Sequence, residues 1–131
     1  MRAEIERSLE LAGERSPDIT PLVYEKLFAR FPEMEALFIR DRNGAVRGEM
    51  LARLIEAILD FLDGDTYATN FLRCEIVTHE GYGVPPDVFP KFIEALVTTV
   101  RDLSASDWTP VTEDSWNTLL ARLTPTQSPA S

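Results

Sequence analysis

The sequence predicts an all-α protein, because its apolar residues follow helical spacing along almost the whole chain. They recur three and four positions apart in successive segments, as on the buried face of an amphipathic helix. Runs that alternate apolar and polar residues and are rich in β-branched side chains, which would indicate strands, are scarce. Proline and glycine clusters divide the chain into six to eight helices, of which the last is short.

Length and composition indicate one globular domain. A chain of 131 residues with 44% apolar residues is long enough to bury a single core without disulfides or a structural metal. We expect the domain to span residues 1–124. The segment 125–131 is polar and contains proline, so we expect a disordered tail there.

Charge and hydropathy argue against several classes of partner. The net charge is −9, from 13 basic and 22 acidic residues, so nucleic acid and anionic membranes are poor candidates. No apolar run approaches the length of a membrane span, and the first residues carry no export signal. We therefore expect a cytoplasmic protein without a membrane partner. Cys74 is the only cysteine, and we expect it to be a small buried hydrophobe within a helix.

The first two helices are delimited by their terminal residues. A helix over about 2–13 is predicted to stop at Gly13. Ser16-Pro17-Asp18 is a start signal, with serine as the N-cap and proline at the first helical position. The helix that follows is predicted to run to about Phe31. Tyr24 falls on its apolar face and should point inward.

The middle of the chain contains a short helical corner and two longer helices. Residues 33–38 read as the corner, and the turn cluster 41–44 follows it. The segment 46–62 carries the widest apolar stripe and is predicted to be the most buried helix. The next helix, about 66–80, places His79 on an apolar face near its C-terminus. His79 is the only histidine in the chain.

Two further helices complete the chain. Pro85-Pro86-Asp87 opens a long helix whose apolar stripe from Phe89 to Leu103 is the cleanest amphipathic pattern in the sequence. Thr109-Pro110 starts the last helix, which is predicted to end near residue 124.

An inward tyrosine, an aromatic corner and a lone helical histidine together suggest a cavity in the bundle. A histidine on an apolar face is either a cofactor ligand or an ordinary core residue. A flat macrocycle needs aromatic and aliphatic walls, one axial base and a polar group opposite that base. His79 and Tyr24 offer such a base and such a polar group, although a lone helical histidine beside aliphatic residues is, without further context, more often a core residue.

The segment from Ser16 to Phe38 resembles the second and third helices of the globins, particularly those of single-domain bacterial haemoglobins and of flavohaemoglobin haem domains. Its tyrosine, Leu-Phe, Pro-Glu and second Leu-Phe recur at the family's spacing. The second half follows the family's order from a proximal histidine, His79, to the final helix with Trp116. The resemblance covers nearly the whole chain.

The resemblance implies a haem b site. His79 would be the proximal iron ligand, Phe38 would stack on the porphyrin, and Tyr24 would donate a hydrogen bond to bound oxygen. The other side chains that the resemblance places at the haem are Arg47, Leu51, Leu54, Ile55, Val84, Phe89, Phe92, Ile93 and Leu96.

The distal helix can be aligned with the family in two registers. One register places Leu51 over the iron and Arg47 at the distal gate, where the arginine could donate to a bound ligand or to a haem propionate. A shift of three residues places Leu54 over the iron and Met50 at the gate. We prefer the first register, since it reproduces the bacterial spacing to His79, but both remain open.

The sequence departs from bacterial relatives near the proximal histidine. Phe89 stands where many of them carry a tyrosine, and the chain ends before the matching glutamate, so we expect the usual relay to be absent. Glu75, one turn before His79, offers a carboxylate that could accept the ring N–H. The short last helix would leave one edge of the pocket open, or closed by a partner subunit as in a homodimer.

The first expectation from the resemblance is a protein that binds dioxygen or another diatomic gas. An enzyme is the second. Nitric oxide dioxygenation or peroxidase-like turnover would need an external reductase, because no flavin or NAD module is visible in the sequence. The alternative is a globin-like sensory or interaction module that has lost haem.

Overall fold

The computed structural model describes residues 2–38, 40–81 and 88–123, and within these ranges the protein is all-α without strands, as predicted. Two short 3₁₀ segments, Pro32–Phe38 and Ala105–Asp107, join helices of the bundle. The α-helices are α1 (Arg2–Arg15), α2 (Thr20–Arg30), α3 (Ala45–Leu62), α4 (Ala68–Gly81), α5 (Val88–Ser104) and α6 (Pro110–Leu123). Val84 and the predicted tail 125–131 lie outside the described residues.

Two predicted helix ends are wrong. Helix α1 continues through Gly13 to Arg15, because one glycine costs a helix only about 1 kcal/mol relative to alanine. Helix α2 begins at Thr20 and not at Pro17. The Asp18 carboxylate accepts a hydrogen bond from the Thr20 amide at 3.0 Å, and Pro21 is the proline of the first turn. The predicted start is therefore three residues too early.

Helix α5, and not α3 as predicted, is the most buried helix, because it is packed on more than one side whereas one wide face of α3 stays exposed. Helix α5 packs against α1, α2 and α6, and α3 packs against both α2 and α4. The first 3₁₀ segment lies against α2. Residues of α2, α3, α4 and α5 line a common cavity among these helices. Tyr24 and His79, which the sequence analysis singled out, both line it.

A buried hydrogen bond connects α1 with α6. Trp116 is fully buried, and its Nε1–H donates to the Ser8 hydroxyl oxygen at 2.9 Å. The Ser8 hydroxyl in turn donates to the Ile5 main-chain carbonyl at 2.7 Å. This chain of bonds satisfies the indole N–H in the core and fixes how α6 lies on α1.

The prediction for Cys74 is wrong, because the side chain is exposed on α4. Leu72 is buried, and a helical residue two positions later points to nearly the opposite side. None of the helices in the described ranges combines the length and apolar character that crossing a membrane requires.

Candidate functional site

His79 lies in the last turn of α4, and its orientation is fixed by a main-chain contact. Its Nδ1 atom is 2.7 Å from the carbonyl oxygen of Glu75, one turn earlier. A carbonyl oxygen only accepts hydrogen bonds, so Nδ1 carries the proton and donates it. In the neutral ring the lone pair then lies on Nε2, the nitrogen that a metal would use.

The predicted role of the Glu75 carboxylate does not match this geometry. Its Oε1 atom is 3.7 Å from His79 Nδ1, beyond hydrogen-bond distance, whereas the carbonyl of the same residue is 2.7 Å away. The carbonyl is the acceptor because the helix itself brings it within reach of the ring. The ring edge of Phe89 also contacts the imidazole, with centroids 5.5 Å apart.

Two cavities adjoin His79. The inner cavity, of about 70 Å³, is lined by Tyr24, Leu27, Met34, Leu37, Phe38, Met50, His79, Val88, Phe89 and Phe92. The α3–α4 cavity, of about 180 Å³, is lined by Glu49, Met50, Arg53, Leu54, Phe71, Leu72, Glu75, His79, Phe89 and Phe92. The two cavities share Met50, His79, Phe89 and Phe92, so these side chains form the partition between them.

Tyr24 is buried, as predicted, and its hydroxyl has no hydrogen-bond partner within the described part of the chain. Its ring contacts Phe28, Phe38 and Phe92, with centroids 5.3 to 5.7 Å apart. Burial raises the pKa of the phenol well above its ordinary value, so the hydroxyl keeps its proton at neutral pH. Tyr24 is therefore an unused donor in an apolar setting. An unpaired buried hydroxyl is costly, which makes it a candidate for contacting a ligand.

The structure brings Tyr24 and His79 to the wall of one cavity, although they come from α2 and α4. The inner cavity is otherwise apolar and aromatic. A hydroxyl donor, an oriented imidazole and aromatic walls in one interior space form the donor set that a haem with a gas ligand requires. The chemistry of these residues fits that group.

Arg47 lines neither of the two cavities beside His79, and its guanidinium is hydrogen-bonded to Asp41. Its Nε–H donates to Asp41 Oδ2 at 3.0 Å, and its Nη2–H donates to the Asp41 carbonyl at 2.8 Å. The Asp41 carboxylate also accepts from the amides of Val46 and Arg47, at 3.0 Å each. This carboxylate is almost fully buried and caps α3 while it holds the guanidinium.

The apolar side chains of α3 that line the two cavities beside His79 are the two that the second register, with Leu54 over the iron and Met50 at the gate, places at the site. Met50 lines both of them, and Leu54 lines the α3–α4 cavity. Leu51 and Ile55 instead line a groove of about 410 Å³ formed with α1 and the segment between α1 and α2.

Of the six other residues that the sequence placed at the site, three line a cavity beside His79. Phe38, Phe89 and Phe92 line the inner cavity. Ile93 and Leu96 are buried on α5 but line neither cavity beside His79. Val84 lies outside the described residues.

Sequence reasoning missed several wall residues. They are Leu27, Met34, Leu37 and Val88 at the inner cavity, and Glu49, Arg53, Phe71 and Leu72 at the α3–α4 cavity. Met34 lines the inner cavity, and its position four residues before Phe38 in the same short helical segment was the available signal. Phe71 lines the α3–α4 cavity next to Leu72, which shares the His79 face of α4. The sequence offers little sign that Phe71 also turns toward this cavity.

A third cavity, the outer cavity, is also lined by Tyr24. It measures about 610 Å³ and is lined by Asp18, Thr20, Pro21, Tyr24, Glu25, Phe28, Ala29, Glu35, Arg42, Asn43, Gly44 and Arg47. Most of these residues are exposed, so the cavity is a depression in the surface. Among the described residues, Tyr24 alone lines both the outer and the inner cavity.

Comparison with known proteins gives one match. A family model described as Globin matches residues 22–126, which span most of α2 through α6. Proteins of this family typically bind haem and diatomic gases such as oxygen. Searches of curated proteins and of solved structures gave no significant match.

Proposed function

Because the chain belongs to the globin family, we propose that it binds haem b through His79 and holds dioxygen or another diatomic gas beside Tyr24. One observation carries the proposal: Tyr24 and His79 line the same inner cavity, from different helices. The His79 Nδ1–H donates a hydrogen bond to the Glu75 carbonyl. The Tyr24 hydroxyl has no hydrogen-bond partner in the described ranges.

Bound haem supplies the iron at which a diatomic gas binds reversibly. His79 would hold it through Nε2, since the Glu75 carbonyl keeps the proton on Nδ1. The same contact fixes the plane of the imidazole, with the edge of the Phe89 ring against it. A main-chain carbonyl is a weaker acceptor than a carboxylate, so the ligand is an imidazole and not an imidazolate.

Tyr24 would stabilise the gas by donating from its hydroxyl. Burial holds the pKa of the phenol above its ordinary value, and the proton is therefore present at every physiological pH. A hydrogen bond to a partly negative acceptor is strong in apolar surroundings, and Phe28, Phe38 and Phe92 exclude water from the ring.

On the distal side we propose the second register, with Met50 and Leu54 facing the cofactor. The placement of both residues beside His79 supports it. Arg47 would then stay with Asp41 at the rim of the outer cavity and leave Tyr24 as the hydrogen-bond donor to the gas. Phe38, Phe89 and Phe92 would supply the aromatic walls.

We further propose that the protein functions as the single-domain bacterial haemoglobins do, on the basis of the resemblance over Ser16–Phe38. It would act in the cytoplasm as a gas-binding protein. Nitric oxide dioxygenation or peroxidase-like turnover would depend on an external reductase. A homodimer would be one way to cover an exposed edge of the pocket.

Titration with haemin tests the proposal. Wild-type protein should bind one haem per chain and develop a sharp Soret band that shifts when the reduced protein takes up carbon monoxide. His79→Ala should lose the five-coordinate ferrous spectrum, whereas Cys74→Ala, an exposed substitution on the same helix, should keep it. Absence of a saturable Soret band in the wild type would refute haem binding.

A second candidate, a globin-like module that has lost haem, is favoured by the size of the cavities. At about 70 and 180 Å³ the two spaces beside His79 are smaller than the roughly 300 Å³ or more of typical small-molecule sites. Haem entry therefore requires Met50 and Phe89, which belong to the partition, to move. Both are half-buried, and methionine adapts readily to a new packing arrangement. The same titration decides between the two candidates.

A further inference from the structure

We propose that the outer cavity is the entry route for the gas and that the Tyr24 ring is the movable wall through which the gas passes to reach the inner cavity. The inference rests on the proposed function, and it assigns a role to a cavity that lies outside the haem site. The key relationship is that Tyr24 lines the exposed outer cavity and also the inner cavity that contains His79.

The contacts of Tyr24 allow it to move. No hydrogen bond holds its hydroxyl among the described residues, so a small rotation of the ring breaks none. Its neighbours Phe28, Phe38 and Phe92 make ring contacts at 5.3 to 5.7 Å in tilted and edge-on geometries. Such contacts are individually weak, and they can be exchanged for others as the ring turns.

The charged groups at the outer cavity leave this route available to a neutral molecule. Arg47 is held by Asp41 at the cavity wall, so its guanidinium is already paired. Carboxylates and guanidinium groups are mixed around the opening, and an uncharged diatomic gas is neither attracted nor repelled strongly by them. The volume of about 610 Å³ is ample for a diatomic molecule.

The other opening beside His79 is the space that the cofactor would take. The α3–α4 cavity is lined by Met50, Leu54 and His79, so a haem held by His79 would occupy this region once Met50 and Phe89 move. The outer cavity shares only Tyr24 with the inner cavity and has no lining residue in common with the α3–α4 cavity, among the described residues. The gas would therefore arrive next to the hydroxyl that then donates to it.

Filling the outer cavity tests the route. Glu25 and Ala29 are exposed on one face of α2 and line the outer cavity, and neither touches the proposed haem site. In Ala29→Trp and Glu25→Trp the indole should obstruct passage, with a stronger effect in the double variant. Ala121→Trp is the matched control, because Ala121 is exposed on α6, which contributes nothing to this cavity.

Carbon monoxide rebinding after flash photolysis gives the rates, and the infrared C–O stretch reports the surroundings of the ligand. In the α2 variants both association and dissociation should slow by about five- to tenfold, since a barrier about 1 kcal/mol higher affects both directions equally. The dissociation constant and the C–O stretch should stay at wild-type values. Larger isocyanide ligands should be slowed more.

Two outcomes would overturn the inference. If the double variant rebinds carbon monoxide at the wild-type rate, the gas enters elsewhere, while the haem site itself stands. If affinity falls and the C–O stretch shifts, the indole acts on the bound ligand and not on its passage. Failure of the wild type to form a carbon monoxide complex would instead refute the proposed function, and the entry route with it.

Discussion

The His79 ring donates its Nδ1–H to the main-chain carbonyl of Glu75, four residues earlier on α4, at 2.7 Å. The Glu75 carboxylate is 3.7 Å from the same nitrogen and half-exposed, so it takes no part in this bond. The helix backbone, which no side-chain substitution removes, therefore orients the proposed iron ligand. This arrangement explains how His79 can be positioned without an acidic partner.

Glu75→Gln should leave the proposed iron–histidine bond unchanged. The substitution keeps the size of the side chain and removes its charge, while the carbonyl acceptor remains. Resonance Raman spectra of the reduced haem-loaded protein should show the iron–histidine stretch at the wild-type frequency. A clear shift to lower frequency in Glu75→Gln would show that the carboxylate strengthens the ligand after all.

Tyr24→Phe should have opposite effects on gas binding and on stability. Removing the hydroxyl deletes the proposed donor, and dioxygen release should become about 10- to 100-fold faster, as expected for a hydrogen bond of about 1.5 to 3 kcal/mol. The free energy of unfolding of the haem-free protein should be unchanged or rise by about 1 kcal/mol, because the lost hydroxyl was buried without a partner.

Stopped-flow dioxygen release and urea unfolding measure the two effects of Tyr24→Phe. Phe28→Leu is a suitable control, since Phe28 contacts the same ring but carries no donor. Wild-type release rates in Tyr24→Phe, or a loss of stability of about 2 kcal/mol, would mean that the hydroxyl has a structural partner instead.

The helices and the two central residues could be predicted because they depend on local patterns. Apolar stripes at helical spacing locate α2 to α6, and the same periodicity places Tyr24 and His79 on inward faces. The exact start of α2 could not be read, since Ser16-Pro17-Asp18 and Thr20-Pro21 both resemble helix starts. The helix begins at the second of these, where the Asp18 carboxylate accepts a hydrogen bond from the Thr20 amide.

The register of α3 could not be predicted, because its single apolar stripe is wide. Met50 and Leu54 lie toward one edge of the stripe, and Leu51 and Ile55 lie toward the other. How α3 packs on its neighbours decides which edge meets His79. At Gly48 a Cβ atom would be 3.9 Å from the Thr20 hydroxyl oxygen, an ordinary van der Waals distance, so α3 lies beside the start of α2 there. Such a contact between distant residues leaves no signal in the local pattern.

Nor did the sequence indicate that Asp41 caps α3 and binds Arg47. This role predicts how the stability of the fold depends on pH. Burial alone would raise the pKa of this carboxyl, but the amides of Val46 and Arg47 and the Arg47 guanidinium outweigh it and hold the pKa below its ordinary value. Asp41 therefore stabilises the fold above the ordinary aspartate pKa of about 4. This contribution is lost as the pH falls toward the lowered value.

Asp41→Asn should be less stable than the wild type at neutral pH and should lose less stability on acidification from pH 5 to pH 2. Urea midpoints measured across this range test the prediction. Asp114→Asn, at an exposed position on α6, controls for the loss of one negative charge. Parallel pH profiles for Asp41→Asn and the wild type would exclude a role for the Asp41 charge.

Ser8→Ala should destabilise the protein by about 1 to 3 kcal/mol, because it leaves the Trp116 Nε1–H buried without an acceptor. Ser115→Ala is the matched control, since Ser115 is also buried but only donates to the Val111 carbonyl of its own helix. Its cost should be below about 1 kcal/mol. Equal urea midpoints for the two variants would contradict the interhelical role of Ser8.

The central claim is that His79 is the iron ligand. Replacing its side chain with free imidazole tests this claim most directly, because His79 is the only histidine in the chain. His79→Gly opens space at the proposed Nε2 position, and the reduced haem-loaded variant should lack the iron–histidine Raman band. Added imidazole should bind in that space and restore an iron–imidazole band and the five-coordinate spectrum. A wild-type band that persists in His79→Gly without imidazole would contradict the assignment of His79 as the iron ligand.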